Sequence, residues 1–247
     1  FFEEPQHLNS FYIRKEDTTR QFWTQAQVQG PRMSDADLYV LTSERTFSAA
    51  EEFTYNLKNM ERATIVGETT GGGAHPVDGR LFANLNVGMS LPFGRAINPI
   101  SGTNWEGTGI EPHLQVPQDQ ALEVAHLEAL KKLREKATSE DIKQQLTWDI
   151  DTKQALANPA TVDAAILQSY VGTYGPRVLI FENGELYYQR EGRPKFKMIP
   201  MADDLFCFEE LDYFRIKVSV DDSGNPVELV GTYSGGFTDV SPRDPDQ

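Results

Sequence analysis

The 247-residue sequence predicts an α/β segment built on parallel strands, followed by a small antiparallel β-domain. Two short apolar runs, LYVLTS (38–43) and ATIVGE (63–68), have the composition of strands buried on both faces. A helical stretch lies between them, and a strand–helix–strand unit of this length is a right-handed crossover in a parallel sheet. From Arg177 onward the hydrophobic period changes to two, and RVLIFE and ELYYQRE flank an Asn-Gly pair, a strong hairpin signal.

Taken in order, ERTFSAAEEFTYNLKNM places Ala50, Phe53, Leu57 and Met60 at helical spacing. The second apolar run ends in the loop TTGGGAHP, and residues 80–94 read as two short strands around Asn86–Gly88. A turn-rich stretch, RAINPISGTNWEGTGIEPH, precedes a helix over 121–137 with Leu122, Ala125, Ala129, Leu133 and Ala137 on one face. Residues 138–158 are polar and partly helical, and serve as a connector. TVDAAILQSYVG is a short helix, with Thr161 as its N-cap and Gly172 as its stop. The strands KFKMIP, LFCFEE, YFRIKVSV and PVELVGTY then follow the hairpin. Six or so antiparallel strands in about 70 residues make a small barrel or sandwich. The expected domains are therefore 1–137, 138–158 and 159–247.

Composition narrows the function classes. A hydrophobic content of 39% and 11% aromatics suit a chain that buries a core. The net charge of −14 comes without any basic stripe, which argues against nucleic-acid binding. No apolar run approaches the ~20 residues of a membrane span, and no signal peptide is visible. Cys207 is alone, which excludes an intramolecular disulfide. The four histidines are scattered without an HExxH pattern, so no metal site is expected. Gly71–Gly73 lacks the arrangement of a nucleotide loop, and no cofactor is expected either.

The residues that could carry chemistry centre on TFSAAEEF. Ser48 stands at the first turn of a helix that follows a buried strand. Free backbone N–H groups and the helix dipole there can stabilise an oxyanion, but serine is also an ordinary N-cap. A nucleophilic serine needs a base within hydrogen-bond reach. His75 follows the glycine run and Asp78 could orient it, or it is simply a loop histidine fixed by Pro76. His113 reads as an exposed loop residue and His126 as a helix-face residue.

The block LYVLTSERTFSAAEEFTYNLKNMERATIVGETTGGG resembles the nucleophile block of the tail-specific (C-terminal-processing) serine peptidases. There a strand, a Ser-Ala-x-Glu helix start, a Val-Gly-Glu strand end and a glycine-bearing loop follow one another, and the resemblance runs from about residue 37 to 112. It implies a ClpP/crotonase-like core of βαβ units with Ser48 as nucleophile. The Ser-Lys members of the family carry a lysine 25 residues after the serine, where this chain has Gly73. The tricorn-core and retinoid-binding branch instead uses a histidine and a glutamate 58 residues on, which here is Glu106. In that branch the histidine and a Gly-rich strand lie upstream; here the only histidine before LYVLTS is His7, and no such Gly-rich strand precedes it. The resemblance therefore implies a partial core that hydrolyses peptides poorly by itself, with an open sheet edge beside LYVLTS.

The expected reaction is peptide-bond hydrolysis of extended or C-terminal protein segments through an acyl-enzyme at Ser48. Ala49 would supply one oxyanion donor, and Gly71, Gly72 and Gly73 would let the backbone approach an extended peptide. The catalytic set is Ser48, Glu106 and His75, and the partner is a protein or peptide, with a homo-oligomer open. The alternative is a non-catalytic binding module of the same fold. The β-domain resembles lipocalin-like domains appended to some bacterial peptidases. Its aromatics (Tyr187, Tyr188, Phe196, Phe206, Phe208, Tyr213 and Phe214) either line a cavity or fill the core. The family resemblance suggests a periplasmic or secreted protein.

Overall fold

The computed structural model describes residues 1–245 and divides into two compact units, Phe1–His126 and Leu127–Gln247. The first unit opens with an antiparallel hairpin, β1 (His7–Ile13) and β2 (Thr18–Trp23). Then come β3 (Tyr39–Thr42), helix α1 (Ala49–Asn59), β4 (Thr64–Gly67), β5 (Val77–Phe82), β6 (Val87–Pro92), β7 (Gly94–Ile97) and β8 (Leu114–Gln115). Helix α2 (Ala121–Lys136) begins in this unit and crosses the division.

The β3–α1–β4 crossover forms as the two apolar runs predict. β3 and β4 pair in parallel with Tyr39 opposite Thr64, and β8 adds a third parallel strand on the far side of β4. β3 is thus the edge of its sheet. Ile65 and Val66 in the central strand are fully buried, as a strand covered on both faces must be. β1 pairs with both β2 and β7, while β5 and β6 form a separate two-stranded ribbon.

Both helices bury only part of the stripe their apolar residues suggest: Leu57 and Ala125 are buried, but other members of each stripe are not. In α1 the buried residues are Glu51, Thr54, Asn56 and Leu57, whereas Phe53 is 50% exposed. The buried polar groups have fixed partners, which removes the cost of burying them. In α2, Ala121 and Ala125 pack on Val66 with Val124 beside them, and Leu122 and Leu133 lie exposed. Small residues win the contact because they let the helix come close to the sheet.

The second unit holds α3 (Glu140–Ala157), α4 (Ala164–Ser169), β9 (Gly172–Tyr174), β10 (Arg177–Glu182), β11 (Glu185–Arg190), β12 (Lys195–Lys197) and β13 (Ile199–Pro200). It continues with β14 (Leu205–Cys207), β15 (Phe214–Val220), β16 (Pro226–Tyr233) and β17 (Thr238–Pro242). These strands form two antiparallel sheets, β12-β11-β10-β9 and β13-β14-β15-β16-β17. The hairpin β10–β11 turns on Asn183 and Gly184, both at positive φ, as a two-residue turn requires. Tyr188, Phe206, Phe208 and Phe214 are core residues, Phe196 and Tyr187 are partly buried, and Tyr213 is exposed.

Two details depart from the sequence reading. The N-cap of α4 is Asp163, whose side chain accepts the Ala165 N–H at 2.7 Å, and not Thr161. Gly172 opens β9 and does not end the helix. The connector is mostly the helix α3, which packs within the second unit. There the Arg215 guanidinium lies 3.8 Å from the Trp148 ring and donates to the Trp148 carbonyl at 2.6 Å.

His113 is also structural. Its Nδ1 accepts the Ile65 N–H at 2.9 Å, so the ring is bonded in its neutral form. Burial first, and then the Lys58 charge, push its pKa below the ordinary histidine value. A depressed histidine makes the unfolded state the better proton binder. The first unit should therefore lose stability as pH falls below about 6.5, until the folded pKa is passed. His113→Gln should flatten that slope in denaturation curves recorded between about pH 7 and 5.

Candidate functional site

Ser48 caps α1 and is exposed, with φ 57° and ψ −119°. A non-glycine residue in that region costs about 1–3 kcal/mol and persists only where its surroundings hold it. What holds it is Glu51, one turn into the helix and fully buried. The Glu51 carboxylate accepts the Ser48 N–H at 2.8 Å, the Gly72 N–H at 2.7 Å, the Gly73 N–H at 2.9 Å and the Thr70 hydroxyl. One carboxylate thus ties the backbone of the serine to the glycine loop.

The ends of the parallel strands complete the frame. Glu68 accepts the Glu44 N–H at 3.1 Å and the Gln118 N–H at 3.0 Å, fixing the turn that leads to Ser48. The Gly71 N–H donates to the Thr46 carbonyl at 3.0 Å. The N–H groups of Gly71, Gly72 and Gly73 are therefore all engaged inward. Gly72 sits at φ +86°, a conformation glycine adopts without penalty. Ala49 is exposed at the first turn of α1, where backbone N–H groups lack helical partners.

Glu106 reaches the same loop from the other side. Its Oε2 accepts the Ala74 N–H at 2.7 Å and the His75 N–H at 2.9 Å, and lies 3.7 Å from His75 Nδ1. The turn that carries it is docked by Gly107 N–H on the Gly72 carbonyl (2.9 Å) and by the Trp105 indole N–H on the Gly73 carbonyl (3.2 Å). Burial raises the Glu106 pKa, the two amides and the His75 charge lower it, and the net is below the ordinary glutamate value. Glu106 is therefore a carboxylate at neutral pH.

His75 faces Glu106 through Nδ1, while its Nε2 is shielded from solvent without a hydrogen-bond partner. No imidazole among the described residues hydrogen-bonds the Ser48 hydroxyl. Asp78 is exposed on β5 and makes no hydrogen bond or ion pair with His75, so the carboxylate facing that ring is Glu106. His7 lies on β1, stacked on Trp23 at 4.8 Å. The residues that sequence reasoning missed are Glu51 and Glu68. Both sit inside the Ser-Ala-x-Glu and Val-Gly-Glu signatures, but their partners come from distant loops.

Residues 5–116 match the model of Peptidase family S41. Among solved structures the chain is similar to a photosystem II D1 C-terminal processing protease, with 21% identity and a TM-score of 0.38 over 47% of this chain and 28% of that one. It is also similar to a lipoprotein from Streptococcus agalactiae, with 14% identity, a TM-score of 0.39, and 51% and 45% coverage. A third similarity is to mature CPAF, with 31% identity, a TM-score of 0.30, and 38% and 19% coverage. The chain spans less than half the length of each.

Proposed function

We propose, from the match of residues 5–116 to the model of Peptidase family S41, that the chain belongs to that family and is a serine peptidase with Ser48 as its nucleophile. Its substrates are extended or C-terminal segments of proteins. The observation that carries the reading is the strained Ser48 backbone, bound through Glu51 to the glycine loop at a helix N-terminus. In the proposed chemistry, Ser48 Oγ attacks the scissile carbonyl carbon while its proton passes to an imidazole base. The Ala49 N–H supports the oxyanion. Collapse expels the amine, which takes the proton, and a water repeats the sequence to release the acid.

Glu106 is proposed as the carboxylate that orients the base, and His75 is the imidazole it faces here. The Gly71–Gly73 stretch shapes the groove where a peptide backbone approaches. Because no imidazole hydrogen-bonds the Ser48 hydroxyl, turnover by this chain alone is proposed to be slow. That same observation favours the second reading, a peptide-binding module of this fold without turnover. The core is proposed to be ClpP/crotonase-like and the second unit a lipocalin-like appendage. No helix among the described residues is long and apolar enough to cross a membrane. A periplasmic or secreted location and a homo-oligomer belong to the same proposal.

The test is hydrolysis of an unfolded protein by the chain and by Ser48→Ala. A slow rate that disappears in Ser48→Ala supports the peptidase. A rate unchanged by the substitution sinks it, and no rate at all leaves the binding module as the better reading. His75→Ala should lower any Ser48-dependent rate by about 10²-fold or more, as loss of a general base does.

A further inference from the structure

Phe47 is 57% exposed, although it is a large apolar side chain beside the proposed nucleophile. The glycines of the facing loop fix where its ring lies. A Cβ built on Gly73 would stand 2.1 Å from Phe47 Cζ, and one on Gly71 would stand 2.9 Å from Cδ2. One side of the ring therefore rests on backbone that only glycine leaves bare. That backbone is itself immobilised, since the Gly73 N–H is held by Glu51 and its carbonyl by the Trp105 indole. The ring is an apolar surface seated on a fixed support, with the rest of it open to solvent next to Ser48.

We infer that Phe47 is a specificity-determining residue, and that it selects peptide segments carrying an apolar side chain beside the bond presented to Ser48. The inference rests on the reading of Ser48 as the reacting residue. A ring already ordered before binding loses little freedom when a second apolar group covers it, so contact is favourable for an apolar side chain and not for a polar one. No other feature of the loop offers this discrimination, because the loop N–H groups are engaged by Glu51 and Thr46 and would treat all side chains alike.

The experiment uses the full chain carrying Ser48→Ala and two hexapeptides that differ only in a central Phe or Ser, with binding followed by calorimetry. The Phe peptide is expected to bind about ten-fold tighter, the size of effect that one apolar group in a pocket supplies. Phe47→Ala should erase the preference and Phe47→Leu should keep most of it. Gly73→Ala should erase it with Phe47 still present, because the new methyl drives the ring off its seat. A preference that survives in both Phe47→Ala and Gly73→Ala overturns the inference, as does equal or absent binding of the two peptides to the chain with Phe47 intact. If the preference depends on Phe47 while Ser48 proves unreactive in the unsubstituted chain, the inference holds and the peptidase reading falls.

Discussion

A Glu51→Ala variant is expected to lose about 3–5 kcal/mol of stability in the first unit, together with the reactivity proposed for Ser48. The carboxylate is fully buried and takes four donors, from Ser48, Thr70, Gly72 and Gly73. A hydrogen bond to a charged group contributes about 1.5–3 kcal/mol, and removing the acceptor strands several donors at once. The four do not add in full, because the freed loop can relax and admit water. Glu51→Gln keeps the volume but turns an amide N–H toward other donors, so it should recover only part of the loss. Urea denaturation gives the stability, and hydrogen exchange at the Gly72 and Gly73 amides reports the loop. A loss below about 1 kcal/mol in Glu51→Ala, with those amides still protected, would contradict a Glu51-held site.

In the second unit, Arg177→Ala should cost about 3 kcal/mol or more. The guanidinium is buried, donates to both Asp239 oxygens at 2.7 and 2.8 Å and to Ser241 at 3.2 Å, and lies 5.6 Å from the Phe214 ring. Burial lowers its pKa, the Asp239 contacts raise it, and the net is upward, so the charge is kept. Alanine leaves both a void beside the core aromatics and an unpaired carboxylate, although partial exposure of Asp239 softens the second penalty. Arg177→Met fills the void and should be the milder change. Equal losses in the two variants would show that charge, and not packing, dominates at this position. The readout is denaturant unfolding followed by tyrosine fluorescence.

The parts of the fold that were legible in the sequence are those specified locally. The β3–α1–β4 crossover is written in two apolar runs of strand length, and β10–β11 in an Asn-Gly turn between alternating residues. The β1–β2 hairpin is not legible, because β2 (TTRQFW) has no alternation of apolar residues, its two aromatics being adjacent, and every residue of that strand is exposed. The faces of α1 and α2 are only partly legible for a related reason, with Leu57 and Ala125 buried but Phe53, Leu122 and Leu133 exposed. Helical periodicity assumes that the apolar stripe is the buried one, whereas α1 buries Glu51, Thr54 and Asn56 against groups that the sequence does not place nearby.

The same division holds at the site. Ser48 stands out because a strand end, a helix start and a glycine loop occur at set spacings. The bonds that give it an unusual backbone do not, since the loop amides lie 21 and 22 residues beyond Glu51 and meet it only through the parallel pairing of β3 and β4. Counting from Ser48 nominates Glu106, but its partners, the Ala74 and His75 amides, follow from how the 104–107 turn docks on the loop. His75 and Glu106 are brought together by that docking. Their relation to Ser48 runs through the loop and not through a direct bond.

The central claim is that Ser48 is a reactive nucleophile, and covalent labelling tests it more directly than turnover, because an adduct accumulates even when hydrolysis is slow. The native chain would be incubated with a fluorophosphonate and the modified residue located by mass spectrometry of its peptides. The account predicts a single adduct on Ser48 that is absent after denaturation and absent in Glu51→Ala. An unmodified Ser48, or a label distributed over other serines in native and denatured chain alike, would contradict it.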